Sequence, residues 1–166
     1  LTRVVDAGAF DVAQVCYNAL NPTAAATLPS PFPGQDFGRL LDRAKAQRMG
    51  SIGIRILAGG ALSGSEARHP VAMPDVAPIG SGADYATDVA RARRFATLVR
   101  DGFGRSLSEI AVRFAISTPA LSTVLIGIAT PEEFEAAAAA VEKGPLPAAA
   151  LTRIGEIQAA FATADG

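Results

Sequence analysis

The sequence contains few side chains of the kinds that perform catalysis or bind metals. It has one histidine, His69, and one cysteine, Cys16, too few for a zinc site or an internal disulfide bond. His69 lies between Arg68 and Pro70. We interpret it as a solvated loop residue rather than a catalytic base, since no Ser-His-Asp triad is evident around it. The sequence therefore assigns no catalytic residue and no metal site.

A glycine-rich segment at residues 59–64 lacks the common phosphate-binding and nucleophile motifs. Its sequence, GGALSG, matches neither Gly-x-Ser-x-Gly nor Gly-x-Gly-x-x-Gly, and no Gly-Lys-Ser/Thr follows it. These mismatches argue against an α/β-hydrolase, a Rossmann domain and a P-loop protein.

Three segments could instead hold a ligand through their backbone. They are residues 16–18, 57–64 and 126–130, each at the end of a predicted strand, where parallel βα folds gather their ligands. The glycines of the second allow close approach to a ligand, and the third leads into a helix N-terminus that can bind phosphate. The sequence equally allows glycines that only permit turns and a Thr130 that only caps its helix.

The elements that must position these segments alternate between strand and helix. Short apolar runs predict strands at residues 11–17, 51–57 and 121–126, the first of them buried on both faces. Because helical patterns separate the strands and no hairpin dipeptide joins them, we expect a parallel sheet of βα units.

Capping residues and apolar spacing predict the helices. Asp36 is the expected N-cap of a helix over residues 36–48, and a second helix spans 84–100. Ser106 begins a capping box, and Thr130 caps a helix that ends at residues 144–145 and turns Phe134, Ala138 and Val141 inward. A last helix over residues 148–162 places Leu151, Ile154, Ile157 and Phe161 inward.

Two long loops separate these elements. Residues 21–35 and 65–83 are rich in proline, and such excursions in compact domains are usually functional or disordered. Phe32, Phe37 and Met73 could give a substrate pocket apolar walls, or the loops could simply cover the exterior.

The composition is that of a soluble globular domain. Of 166 residues, 49% are hydrophobic and 19% charged, and the formal net charge is −1. This profile excludes intrinsic disorder and argues against a nucleic-acid-binding protein. Prolines interrupt the uncharged stretches 12–35 and 114–131, so neither predicts a membrane span. The single cysteine gives no sign of an oxidising compartment, and we expect a cytoplasmic protein.

Three segments resemble the C-terminal part of the aldo-keto reductases. They are Phe10 to Asn21 (FDVAQVCYNALN), Ile52 to Gly64 (IGIRILAGGALSG) and Glu109 to Glu135 (EIAVRFAISTPALSTVLIGIATPEEFE). The resemblance implies an α/β fold, the (β/α)8 TIM barrel. Residues 1–166 would form a single partial barrel domain, with strands six to eight, their helices and a C-terminal helix.

The same resemblance implies NAD(P)H-dependent reduction of small-molecule aldehydes or ketones to alcohols. The family's Asp, Tyr, Lys and His tetrad belongs to the first half of the barrel, so we expect it upstream and expect this chain alone to be inactive. The alternative is a non-catalytic nicotinamide-nucleotide-binding protein with a regulatory or interaction role.

The resemblance also implies cofactor-binding residues. Gln14 corresponds to the residue that hydrogen-bonds the nicotinamide carboxamide, as suits an amide at a strand's carboxyl end. Ile54 takes the place of an aromatic residue on the nicotinamide ring, and Arg55 could stack or pair with a phosphate. The pyrophosphate loop corresponds to Leu57, Ala58 and Gly59, and the turn near the adenosine to Gly127, Ile128, Ala129 and Thr130.

Glu133 departs from the family pattern. Many members have Arg there to bind the 2′-phosphate of NADPH, whereas a carboxylate repels that phosphate and can accept hydrogen bonds from a free ribose diol. NADP(H) thus follows from the resemblance, and NAD(H) becomes possible because of Glu133.

Overall fold

The computed structural model describes residues 2–74, 77–78 and 84–162. Within these ranges the chain forms a parallel sheet flanked by helices. The strands are β1 (Val12–Cys16), β2 (Gly50–Ile54) and β3 (Thr123–Val124). The helices are α1 (Thr2–Asp6), α2 (Leu40–Ala46), α3 (Tyr85–Arg93), α4 (Ala96–Arg100), α5 (Leu107–Ile116), α6 (Pro131–Glu142) and α7 (Ala148–Ala159), and a 3₁₀ segment covers Ala58–Ser63.

The strands are parallel and lie in the order β1-β2-β3, which confirms the predicted parallel sheet. β3 is shorter than the predicted 121–126, but backbone bonds continue its pairing on both sides. Ser122 donates to the Ser51 carbonyl and Leu125 to the Gly53 carbonyl, each at 2.8 Å. The carboxyl ends of the strands therefore lie side by side.

Helices cover only one face of this sheet. On that face Val15 is 1% exposed and Ser51 2%, and α2 and α5 contact the strands. On the other face, Val12 and Leu125 are each 51% exposed, although Cys16 at the end of β1 is buried. The prediction that the first strand is buried on both faces is therefore wrong, since the described residues supply helices to one side alone.

Helix α7 joins the hydrophobic core as its spacing predicts. Ile154 and Phe161 are buried, and Leu151 and Ile157 pack against the same core. The Phe161 ring meets the Phe95 ring edge-on at 5.9 Å.

A polar contact also ties α7 to the loop after β1. The buried Gln158 amide donates to the Ala19 carbonyl at 2.9 Å. In that same loop region Phe32 and Phe37 pack against the core, whereas Met73, in the other long loop, is 70% exposed. Residues 75–76 and 79–83 of that second loop lie outside the described residues.

Two helices differ from their predicted bounds. Asp36 does not cap α2, because its carboxylate accepts from the Gly38 N–H and Arg39 adopts a left-handed φ of 53°. The helix predicted over 84–100 is interrupted at residues 94–95, whose N–H groups bond to carbonyls three residues back. This tightened turn separates α3 from α4 and leaves Phe95 fully buried.

The caps of α5 and α6 are confirmed. The Ser106 hydroxyl accepts from the Glu109 N–H at 3.1 Å, and Thr130 caps α6 with Pro131 as its first residue. The inward stripe predicted for α6 is wrong, since Phe134 is 60% exposed and Val141 46%. The helix instead buries Ala140 and packs on α5.

Candidate functional site at the carboxyl edge of the sheet

The turn that follows β2 has an unusual backbone. Arg55 and Ala58 have φ values of 59° and 49°, and Gly59 and Gly60 follow at 67° and 105°. A positive φ is uncommon for residues with a Cβ and costs about 1–2 kcal/mol each. Strained backbone of this kind clusters at functional sites, where the surrounding structure must hold it.

Asn18 holds the first half of this turn. Its side-chain Nδ2 donates to the Arg55 carbonyl at 2.9 Å, and the same carbonyl accepts from the Ala58 N–H at 2.8 Å. The Asn18 Oδ1 accepts from the N–H groups of Leu20 and Asn21, both at 2.9 Å. Asn18 is 1% exposed, so one buried amide joins the ends of β1 and β2.

Arg68 holds the second half. Its Nη1 donates to the Gly59 carbonyl and its Nε to the Met73 carbonyl, each at 2.8 Å. The guanidinium lies 5.1 Å from the centre of the Tyr85 ring. Neither side chain could be assigned to this turn from the sequence, because nothing in the spacing of residues 59, 68 and 85 shows that the chain brings them together.

The backbone of this turn is suited to an anion. Leu57 is right-handed (φ −96°, ψ 14°), and Ala58 after it is left-handed. Successive right- and left-handed residues direct their N–H groups toward one point, as in anion-binding nests. Arg55 adds a half-buried cation that forms no ion pair with the described residues. Leu57, Ala58 and Gly59, the residues expected to face the diphosphate, belong to this turn, and the Ala58 N–H donates within it to the Arg55 carbonyl.

Gln14 and Ile54 lie on the open face of the sheet. Gln14 pairs with Ile52, and Cys16 with Ile54, so in this parallel register all four side chains point to the same side. Gln14 is exposed and Ile54 half-buried. Gln14 is the middle residue of β1, two residues before its last residue, Cys16. The expectation that the Gln14 amide lies at the strand's carboxyl end is therefore wrong.

The turn after β3 contains the remaining predicted residues. Gly127 and Ile128 are exposed, and Ala129 and Thr130 are half-buried. The Glu133 Oε2 accepts from the Ala129 N–H at 2.7 Å, while the Glu133 N–H donates to the Thr130 hydroxyl at 3.2 Å. Glu133 is therefore a capping residue of α6 as well as a candidate cofactor contact.

A second carboxylate lies at the same helix end. Hydrogen bonds from its own backbone N–H and from the Thr130 hydroxyl hold the pKa of Glu132 below its ordinary value. The N-terminus of α6 therefore presents two negative charges, which oppose the binding of a phosphate there.

The other candidate groups are not arranged for catalysis. His69 is exposed, and its Nδ1 accepts from the Val71 N–H at 3.2 Å. Burial raises the pKa of the Cys16 thiol to about 11, although Arg55 partly opposes this, so the thiol stays protonated at neutral pH. Burial also raises the pKa of Tyr17, whose ring stacks on Phe114 at 5.3 Å.

The described residues contain neither a candidate metal site nor a candidate membrane-spanning helix. In residues 2–74, 77–78 and 84–162 no three His, Cys, Asp or Glu side chains are grouped so that they could hold a metal ion. None of the helices in those ranges has both the length and the apolar character needed to cross a bilayer.

Parallel α/β folds bind their ligands at the carboxyl ends of the strands, which is where the strained, glycine-rich turn after β2 lies. The aldo/keto reductase family model matches residues 10–159, and the chain belongs to this family. No curated protein matches the chain. The family has a TIM-barrel-type α/β fold, and the three-stranded parallel sheet is consistent with part of such a barrel. Membership supports a general oxidoreductase function and, as is typical of the family, a nicotinamide cofactor.

Proposed function

We propose that this chain binds the nicotinamide dinucleotide of an oxidoreductase that reduces aldehydes or ketones to alcohols. The observation that carries the proposal is the turn after β2, where left-handed residues are held by side chains from elsewhere in the fold. The left-handed residues make this turn unfavourable by itself, so the rest of the fold must stabilise it. Its succession of right- and left-handed residues directs N–H groups toward one point, an arrangement that suits a diphosphate.

Each assigned residue has a distinct task in this proposal. The backbone of Leu57, Ala58 and Gly59 binds the diphosphate, with the Arg55 guanidinium adding a positive charge. The Gln14 amide orients the nicotinamide carboxamide, and Ile54 gives the ring an apolar surface on the open face of the sheet. The dinucleotide supplies the hydride when bound. The acid–base tetrad is expected upstream of these residues.

The turn after β3 bears on the choice between the two dinucleotides. Glu132 and Glu133 place two carboxylates at the start of α6, and a 2′-phosphate near them is repelled. The Glu133 carboxylate can accept a hydrogen bond from a free ribose hydroxyl while it still caps the Ala129 N–H. We therefore expect the chain to bind NAD(H) at least as tightly as NADP(H).

Calorimetric titration of the 166-residue chain with NADH and with NADPH tests both statements. We expect binding of NADH at least as tight as that of NADPH. Glu133→Gln keeps an oxygen for the Ala129 N–H but removes the charge. It should raise the affinity for NADPH relative to NADH about fivefold, since one screened charge near a phosphate is worth about 1 kcal/mol.

The outcomes separate the two statements. Tighter binding of NADPH to the unaltered chain would contradict the NADH preference and point to Arg55 or another basic residue as the ligand of the 2′-phosphate. Binding of neither dinucleotide would contradict the proposed function itself. Adding an aldehyde to the chain with NADH should give no oxidation of the dinucleotide, because the tetrad is assigned to another segment.

A further inference from the structure

Arg68 contacts the candidate cofactor turn although it belongs to none of the segments assigned to the cofactor. We propose that Arg68 is a positioning residue that holds the turn at residues 55–60 in its strained conformation. Arg68 acts through the Gly59 carbonyl. The role in binding rests on the proposed function, whereas the hold on the turn can be measured without any ligand.

The geometry of the guanidinium carries this proposal. Two of its N–H groups reach two carbonyls at 2.8 Å, those of Gly59 and Met73, and its face lies over the Tyr85 ring. Within the described part of the chain, Arg68 forms no ion pair. Its rigid fork is therefore committed to backbone oxygens, a task that the single ammonium of lysine cannot reproduce.

The Gly59 carbonyl is an effective point from which to hold the turn. A peptide group is planar, so fixing the Gly59 oxygen also fixes the direction of the Gly60 N–H. That N–H donates to the Leu57 carbonyl at 2.8 Å. The peptide between the two glycines is thus held at both ends. Because glycine adopts either sign of φ readily, the turn needs such external support.

Packing around Gly60 supports the same role. A Cβ built on Gly60 would lie 3.1 Å from the Tyr85 hydroxyl and 3.6 Å from the Arg68 Nη1. The side chains of Arg68 and Tyr85 therefore lie directly against Gly60, whose φ is 105°. A turn held in its binding conformation before the ligand arrives loses less affinity to ordering than a mobile one.

The test compares Arg68→Gln and Arg68→Lys with the matched variant Arg93→Gln in the full 166-residue chain. Arg93 also donates from its Nε to a carbonyl, that of Gly64 at 2.9 Å, at the far end of the 3₁₀ segment. Hydrogen exchange of the amides at residues 58–62 is measured without ligand. We expect both Arg68 variants to exchange these amides about tenfold faster, and Arg93→Gln to leave them within about twofold.

Affinity for NADH is then measured on the same variants, with circular dichroism and thermal unfolding to confirm the fold. Both Arg68 variants should bind NADH about tenfold more weakly. Lysine that keeps the wild-type exchange rate and affinity while glutamine loses them would overturn the proposal, because charge alone would then suffice. Unchanged exchange in Arg68→Gln would also overturn it. If the unaltered chain binds no dinucleotide, the proposed function fails, while the exchange rates still decide whether Arg68 holds the turn.

Discussion

The turn after β2 and the turn after β3 leave the same edge of the sheet, but different interactions hold them. The first is half-buried, with carbonyls bonded by Asn18, 37 positions away, and by Arg68 from a later loop. The second is largely exposed, and its hydrogen bonds join residues three or four positions apart. Long-range contacts can maintain a strained backbone, whereas a local cap can only begin a helix. The two turns should therefore respond differently to mutation.

The largest effect is expected for Asn18→Ala. This change removes the donor to the Arg55 carbonyl and the acceptor for two N–H groups in a buried site. Leaving such groups unpaired should lower the free energy of unfolding by about 3 kcal/mol, measured by urea denaturation. A loss below about 1 kcal/mol, the average for one hydrogen bond, would show that the turn after β2 does not depend on Asn18.

A smaller effect is expected for Gly60→Ala, with Gly102→Ala as its control. Both glycines have positive φ, 105° and 82°, but a Cβ at residue 102 would contact nothing within 4 Å. Gly102→Ala should therefore cost only the backbone strain, about 1 kcal/mol, and Gly60→Ala about 2 kcal/mol by the same denaturation measurement.

The Tyr85 hydroxyl tests the origin of that difference. Gly60→Ala in a Tyr85→Phe background should recover the part of the loss that comes from contact with the hydroxyl. Equal losses for the two alanine variants, with no recovery in the Phe background, would show that packing around the turn after β2 adds nothing to its strain.

The smallest effect is expected in the turn after β3. Thr130→Ala removes the acceptor for the Glu133 N–H and should cost about 1 kcal/mol, as is usual for an N-cap. Thr130→Ser keeps the hydroxyl and should stay near wild type. A Thr130→Ala loss as large as that of Asn18→Ala would contradict the contrast between a local and a long-range turn.

Local interactions explain which parts of the fold could be predicted. The caps at Ser106 and Thr130 depend on residues three positions apart, and both are present as predicted. Asp36 failed as a cap because left-handed residues at 38 and 39 delay the start of α2. Phe134 lies outward because α6 packs through Ala140, a choice that depends on the neighbouring helix.

The candidate site also contains residues that could be assigned from the sequence and residues that could not. Resemblance alone assigned Leu57, Ala58 and Gly59 to the cofactor, and the structure shows that they belong to a turn with left-handed residues. Their roles, like those of Gln14, Ile54 and Glu133, stay predictions. Arg68 and Tyr85 could not be found from the sequence, because their contact with the turn depends on the path of a proline-rich loop that has no periodic pattern.

The sequence alone determined the alternation of strands and helices, the parallel pairing of the strands and the caps of α5 and α6, since these depend on apolar spacing and on bonds between near neighbours. Only the tertiary structure decided which sheet face is covered and how the turn after β2 is held. Those features depend on contacts that no local pattern encodes, such as Asn18 with Arg55, 37 positions away, and Arg68 of the proline-rich loop with Gly59. A left-handed conformation at Arg55 and Ala58 is unfavourable by itself, and it persists because the rest of the fold surrounds it.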